Sequence, residues 1–346
     1  MKVLPSPDGP YLVGSTTSEL SDSSRASHLC SRDRGRKLLV KCWYPASETA
    51  SDTCRRERLW EQLRDEPNVP GIAKLLLRPA MKVLTNSYRD APYATLVGAP
   101  RILLYSHGLI SFASENSMLM EHLASRGYLV IALQHVEQLA EFRELQKTQP
   151  QGEKQEQAKL QRKLKASSVS ERPGLSNEYF RIASNTNRIV AGRCADANYA
   201  VSALERIMRG IPGVDAFSAS APVAAIGLSL GGAVATEYSK RADEKPRCVV
   251  NMDGGIYGAE REKPIEARYL MLYSQENDGN NDAALAASRG AEITRRTIAA
   301  TKHLNFHDIA AVYPALKWLG AIGSASPMAV INERNQSVST FVDACR

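Results

Sequence analysis

Residues 223–238, VAAIGLSLGGAVATEY, constrain the fold more than any other stretch of the chain. An apolar, strand-like run ends in Gly-Leu-Ser-Leu-Gly-Gly and passes at once into a helix-forming segment. Gly227, Ser229 and Gly231 satisfy the pattern G-x-S-x-G, which has chemical meaning when a strand precedes it and a helix follows. So sharp a turn strains the serine backbone and leaves room only for small residues beside it. The serine oxygen then projects beyond the strand end, near a helix N-terminus whose dipole favours negative charge. Ser229 is the candidate nucleophile.

The remaining sequence supplies the sheet that such a turn requires. Strand-like runs lie at residues 36–45, 99–108, 127–135, 223–228, 247–254, 267–275 and 292–301. Most have middles of nearly continuous Val, Ile, Leu and Ala, as in strands covered on both faces. Helical patterning separates them at residues 116–126, 178–209, 231–242 and 282–290. The alternation predicts an α/β fold with a mostly parallel central sheet flanked by helices, in a single domain over residues 1–346. Two segments interrupt it. Residues 49–93 carry helical patterning and are a candidate cap over a pocket. Residues 138–173 are rich in Gln, Lys and Glu, and read as an exposed helix or a partly disordered excursion.

A serine hydroxyl attacks only when a base takes its proton. In nucleophile-elbow enzymes the chain order is Ser, acid, His, which leaves His303 and His307. His303 directly follows the last strand and can return to the sheet edge; His307 opens a helix beside Asp308. His303 is therefore the candidate base. Two acids lie at C-terminal strand ends, where open α/β sheets build their sites: Asp253 and, after the next strand, Asp278. A carboxylate ending a buried strand is costly unless paired, which favours Asp253 and keeps Asp278 as the alternative. The oxyanion donors expected are the N–H groups of Leu230 and of Leu109, the latter after Ser106-His107-Gly108. His107 precedes Ser229 and reads as a packing and loop-fixing residue.

The formal net charge is +7, concentrated in clusters at residues 55–58 and 147–165. Neither cluster interleaves aromatics, so no nucleic-acid partner is expected; a basic helix leaves a weak attraction to anionic membrane surfaces. The six cysteines (Cys30, Cys42, Cys54, Cys194, Cys248, Cys345) lack metal-ligand spacing. Free thiols and an N-terminus without a secretory pattern give a cytoplasmic expectation, although a mature secreted chain would look the same. No metal or organic cofactor is expected, because acyl transfer through serine needs none.

Taken in order, GPYLVGSTT, LLVKCWYPA, DAPYA, LLYSHGL followed by LASRGYLVIALQH, AAIGLSLGGA, VVNMDG and KHLNFHD span residues 9 to 319. This set resembles the plasma-type platelet-activating-factor acetylhydrolases and their microbial relatives in the α/β-hydrolase superfamily, a group related to dienelactone hydrolases and cutinase-type polyester hydrolases. The resemblance implies Ser229 as nucleophile, Asp253 as acid, His303 as base, and Leu109 and Leu230 as oxyanion donors. The polyester hydrolases carry their acid one strand later, and SQENDGNND is similar to that arrangement, so Asp278 stays open. The implied activity is hydrolysis of a small-molecule carboxylic ester through an acyl-enzyme, with short or modified acyl groups on lipid-like or secondary-metabolite esters or lactones. An acyltransferase or cyclase using the same triad is the alternative, and a non-catalytic hydrolase-fold binding protein the third reading.

Overall fold

The computed structural model describes residues 2–27, 35–64, 71–96, 100–214 and 222–345; Cys30 lies outside them. Its strands are β1 (Leu12–Asp22), β2 (Arg36–Ala46), β3 (Arg56–Arg58), β4 (Leu84–Arg89), β5 (Arg101–Ser106), β6 (Tyr128–Gln134), β7 (Ala224–Leu228), β8 (Cys248–Met252), β9 (Arg268–Ser274) and β10 (Ile293–Ile298). They form one sheet in the order β10-β9-β8-β7-β5-β6-β2-β1-β4-β3. From β10 to β6 every pairing is parallel; β2 then runs antiparallel to both β6 and β1. This is an α/β-hydrolase fold, and all seven strands expected from the sequence are present.

The pleat divides the apolar residues between two cores. Along β6, Leu129, Ile131 and Leu133 face one side, while Tyr128, Val130 and Ala132 face the other. The first side packs against the helices Ser184–Ser202 and Leu230–Arg241, through residues such as Ile189, Cys194 and Tyr238. The second packs against Ser117–Ser125 and Pro327–Asp343, through Leu119, Leu123, Val338 and Val342. Every residue of β6, β7 and β8 is buried, which explains their predominantly apolar sequences. Parallel strands buried in this way place all their C-terminal ends along one edge.

Residues 49–93, the candidate cap, have their described part built into the sheet and its flank. They carry β3 and β4, which extend the far end of the sheet, and a core in which Trp60, Leu63, Met81 and Val83 meet Phe112, Met118 and Ile331. The Trp60 indole N–H donates to the Ser114 carbonyl at 3.0 Å, bracing the segment that follows β5. None of the described residues of this stretch lines the cavity at the C-terminal edge of the parallel strands. Residues 138–173, expected as an excursion, hold the helices Gln138–Thr148 and Gln151–Ala166, which lead into a third, Arg172–Ile182. Gln157 ties the second helix to the end of the third through the Ile182 carbonyl at 2.9 Å, and this layer walls the cavity. Within the described residues no helix is long and apolar enough to cross a membrane.

Candidate active site

Ser229 links β7 directly to the helix Leu230–Arg241 and has φ 56° and ψ −122°. A left-handed φ is costly for a residue with a Cβ, and here the surrounding packing imposes it. A Cβ on Gly231 would lie 1.9 Å from the Ser106 carbonyl oxygen, and one on Gly227 would lie 2.0 Å from the Gly231 carbonyl carbon. Both positions therefore exclude any side chain, as the sequence pattern required. The Ser229 N–H donates to the Met252 carbonyl at 2.8 Å, locking the turn to the end of β8.

Asp253 comes immediately after β8, also with φ 56°, and its carboxylate is fully buried. Four donors converge on it. Oδ1 accepts the Ser274 N–H at 2.7 Å; Oδ2 accepts the Ser274 hydroxyl at 2.9 Å, the Asn277 amide at 2.8 Å and His303 Nδ1 at 2.6 Å. His303 opens a short 3₁₀ turn, His303–Phe306, beyond β10, and its own N–H donates to Glu276. Burial opposes the imidazolium, but the hydrogen bond and charge of Asp253, with Glu276 and Glu115 further away, outweigh it and raise the His303 pKa. With Nδ1 bound to the carboxylate, Nε2 is the nitrogen left to exchange a proton.

Asp278 is engaged elsewhere. Its Oδ1 accepts from Arg295 at 2.5 Å and from the Thr297 hydroxyl at 2.7 Å, so β10 holds the carboxylate that the sequence left as the alternative partner of His303. His307 is also accounted for: its Nδ1 accepts the Ile309 N–H at 3.0 Å, at the start of a helix, and burial pushes its pKa down to about 3. His107 fixes its own loop, with Nδ1 2.7 Å from the Gly108 carbonyl and Nε2 accepting the His135 N–H at 3.3 Å.

Ser229, Asp253, His303, Leu109 and Leu230 all line one cavity of about 920 Å³. Its wall mixes aromatic side chains with cations: Tyr179, Phe180 and Tyr257 on one part, Lys165, Arg172 and Lys302 on another. Phe180 and Tyr257 meet edge to face at 4.6 Å. In the first turn of the helix Leu230–Arg241 the Gly232 N–H returns to the Ser229 carbonyl at 2.9 Å, while the Leu230 N–H has no acceptor within the helix and Leu230 itself lines the cavity.

Sequence reasoning missed Glu115. This buried acid accepts the Tyr105 hydroxyl at 2.7 Å and the Gly108 N–H at 2.9 Å through Oε1, and burial pushes its pKa up to about 7. In the string SFASENSML nothing distinguishes it from a loop carboxylate. Ser274 and Asn277, which orient Asp253, were likewise unmarked. Among the described residues no group of three or more His, Cys, Asp or Glu is arranged to hold a metal ion.

The family model for platelet-activating factor acetylhydrolase, isoform II, matches residues 1–344. The chain belongs to this acetylhydrolase family. A Schizosaccharomyces pombe protein named "Putative phospholipase A2" is 30% identical to the acetylhydrolase-family chain over 145 residues, which are 39% of this chain and 33% of that protein. The match thus spans about a third of that relative's length. Among solved structures, a ferulic acid esterase from Streptomyces cinnamoneus superposes with a TM-score of 0.68 at 20% identity, over 99% of this chain and 92% of the esterase. At that identity the likeness bears on the fold, which the acetylhydrolase-family chain and the esterase share.

Proposed function

We propose that the protein is a serine hydrolase that cleaves carboxylic esters through an acyl-enzyme, with Ser229 as nucleophile, His303 as base and Asp253 as its orienting acid. Ser229 Oγ attacks the ester carbonyl as His303 Nε2 takes its proton. Asp253 holds the ring by Nδ1 and stabilises the imidazolium that forms. The carbonyl oxygen, now negative, is received by the N–H groups of Leu230 and Leu109. The imidazolium then protonates the departing alcohol, and water repeats the sequence to release the acid. The single observation that carries this reading is the 2.6 Å contact of His303 Nδ1 with a buried Asp253, in a cavity that also holds a serine at φ 56°. Replacing Ser229 with Ala should abolish turnover of p-nitrophenyl acetate.

The cavity also bears on the substrate. A space of about 920 Å³ far exceeds a short acyl group, so the reading assigns most of it to the leaving alcohol. Aromatic walls suit an apolar body, and Lys165, Arg172 and Lys302 suit an anionic or strongly polar end. Lipid-like esters with short or modified acyl groups fit both, in keeping with the names of the family and of the fission-yeast relative.

Contact with a lipid surface belongs to the same proposal. Trp318 and Leu319 are 88% and 80% exposed, and Ile72, Leu75 and Leu76 on the helix Gly71–Leu77 are exposed as well. Tyr313 joins the two groups by donating its hydroxyl to the Leu76 carbonyl at 3.2 Å. Lys302, on the cavity wall, donates to the Gly320 carbonyl at 2.6 Å, so the apolar patch adjoins the catalytic entrance. Exposed Trp and Leu among Lys74, Arg78 and Lys317 form the mixture that suits an anionic membrane interface.

A further inference from the structure

We propose that Arg193, buried on the helix Ser184–Ser202, is a positioning residue that aims the Leu109 N–H at the oxyanion; this rests on the reading of Ser229 as nucleophile. Its guanidinium donates through Nη1 to the His107 carbonyl at 2.6 Å and through Nη2 to the Gly108 carbonyl at 3.3 Å. The Gly108 carbonyl also faces His107 Nδ1, while the Gly108 N–H is held by Glu115 Oε1. Both peptide groups of Gly108 are therefore fixed by buried side chains.

The direction of the next N–H follows from peptide geometry. None of the described peptide bonds is cis, and in a trans peptide the C=O and N–H point in opposite directions. With the Gly108 carbonyl turned to Arg193, the Leu109 N–H points away from Arg193. Leu109 and Ser229 line the same cavity, and a Cβ on Gly108 would lie 3.6 Å from Ser229 Cβ. The peptide that Arg193 grips is thus the one beside the nucleophile.

Arginine suits this task better than lysine, because its planar fork can span two successive carbonyls. Its charge also polarises the Gly108–Leu109 amide, strengthening the N–H as a donor when negative charge develops on the substrate. Arg193 Nη2 further donates to Gln138 Oε1, which takes the Ile110 N–H at 3.2 Å; Gln138 Nε2 donates to the Ser111 carbonyl at 2.9 Å. The loop from His107 to Ser111 is gripped along its length from the 138–173 segment and the helix behind it. Burial lowers the Arg193 pKa to about 10, against the opposing pull of Glu141, Asp196 and Glu115, so the cation persists at neutral pH.

The test uses Arg193→Lys and Arg193→Met in the full chain, with active sites counted by fluorophosphonate labelling. Turnover of p-nitrophenyl acetate and affinity for a trifluoromethyl ketone, which adds to serine as a tetrahedral oxyanion, are then measured per labelled site. The expected result is a ~10–100-fold loss in kcat with a parallel loss of ketone affinity, while KM moves by less than about threefold. Arg193→Lys should fall between wild type and Arg193→Met. A folded variant with kcat per site and ketone affinity within about twofold of wild type overturns the proposal, as does a loss confined to the number of labelled sites. Should neither variant fold, a structure of the wild-type ketone adduct decides: its oxygen within hydrogen-bond distance of the Leu109 nitrogen supports the assignment, and an oxygen turned elsewhere overturns it. Wild-type protein that takes no label at Ser229 overturns the nucleophile reading itself, an outcome distinct from unchanged turnover in the Arg193 variants.

Discussion

His303 Nδ1 lies 2.6 Å from Asp253 Oδ2, although fifty residues separate the two in the chain. β9, β10 and the loops between them fold back to close this gap, while Ser274 and Asn277 hold the carboxylate from its other sides. The competing acid, Asp278, spends its carboxylate on Arg295 and Thr297.

Exchange of the two acids should therefore have unequal effects. Asp253→Asn is expected to lower kcat by ~10³–10⁴-fold, by disturbing the imidazole tautomer and leaving the imidazolium unsupported. Asp278→Asn removes only a half-exposed ion pair and a hydroxyl contact, and should leave kcat within about threefold. Steady-state kinetics of the two variants on p-nitrophenyl acetate make the comparison.

The raised His303 pKa ties activity and stability to pH in opposite senses. Hydrolysis needs the neutral ring, so kcat/KM should climb with pH along a limb centred above the ordinary histidine value of 6.5. The ion pair with Asp253 stabilises the fold fully below about 6.5, and that contribution is lost as pH rises through the folded-state value. Asp253→Asn should shift any residual activity limb to lower pH and remove this part of the stability slope. A pH–rate profile beside urea titrations at several pH values checks both.

Glu121 supports a prediction about the sheet rather than the site. Its buried Oε1 accepts the Asn86 N–H at 2.8 Å and the Ser87 hydroxyl at 2.7 Å, and burial pushes its pKa up to about 7. Glu121→Ala should cost ~2–4 kcal/mol, since it opens a cavity and strands buried donors on β4. In the wild type this group makes the folded state bind the extra proton between about pH 4.5 and 7, so its contribution falls as pH rises across that window. Glu121→Gln should flatten that slope in urea unfolding.

The apolar patch at the entrance should separate binding from chemistry. Trp318→Ser combined with Leu319→Ser is expected to leave p-nitrophenyl acetate turnover unchanged. Co-sedimentation with phosphatidylglycerol vesicles should weaken by roughly tenfold, as two large exposed apolar side chains are lost. Equal vesicle binding by wild type and double variant would remove the patch from the account.

Much of the sheet was legible because buried parallel strands leave continuous apolar runs; β6, YLVIALQ, is an example. β1 and β4 were not, because LVGSTTSELSD and LTNSYR bury Thr16, Asn86 and Ser87 as hydrogen-bonded polar residues, and hydropathy does not register satisfied burial. The C-terminal helix Pro327–Asp343 was missed for the same reason. Its buried face includes Arg334, whose guanidinium is absorbed by Asn116, the Phe306 carbonyl and Asp308. At the site, the order of Ser229, Asp253 and His303 was legible from strand ends and chain direction. Arg193 and Glu115 were not: Arg193 reaches the backbone of a loop about 85 residues away, and Glu115 turns back onto the Gly108 N–H of its own loop, contacts that no local pattern encodes. The polar composition of residues 138–173 pointed to solvent, and the outer faces of those helices do meet it; that Gln161, Leu164 and Lys165 also wall the cavity depends on packing alone.

The most direct measurement is peptide mapping by mass spectrometry after treatment with a fluorophosphonate, in wild type and in Ser229→Ala, alongside turnover of p-nitrophenyl acetate. The account predicts one adduct, on the peptide containing Ser229, and its disappearance together with turnover in the variant. An adduct on another residue, or a folded Ser229→Ala protein that retains half the wild-type turnover, would contradict it.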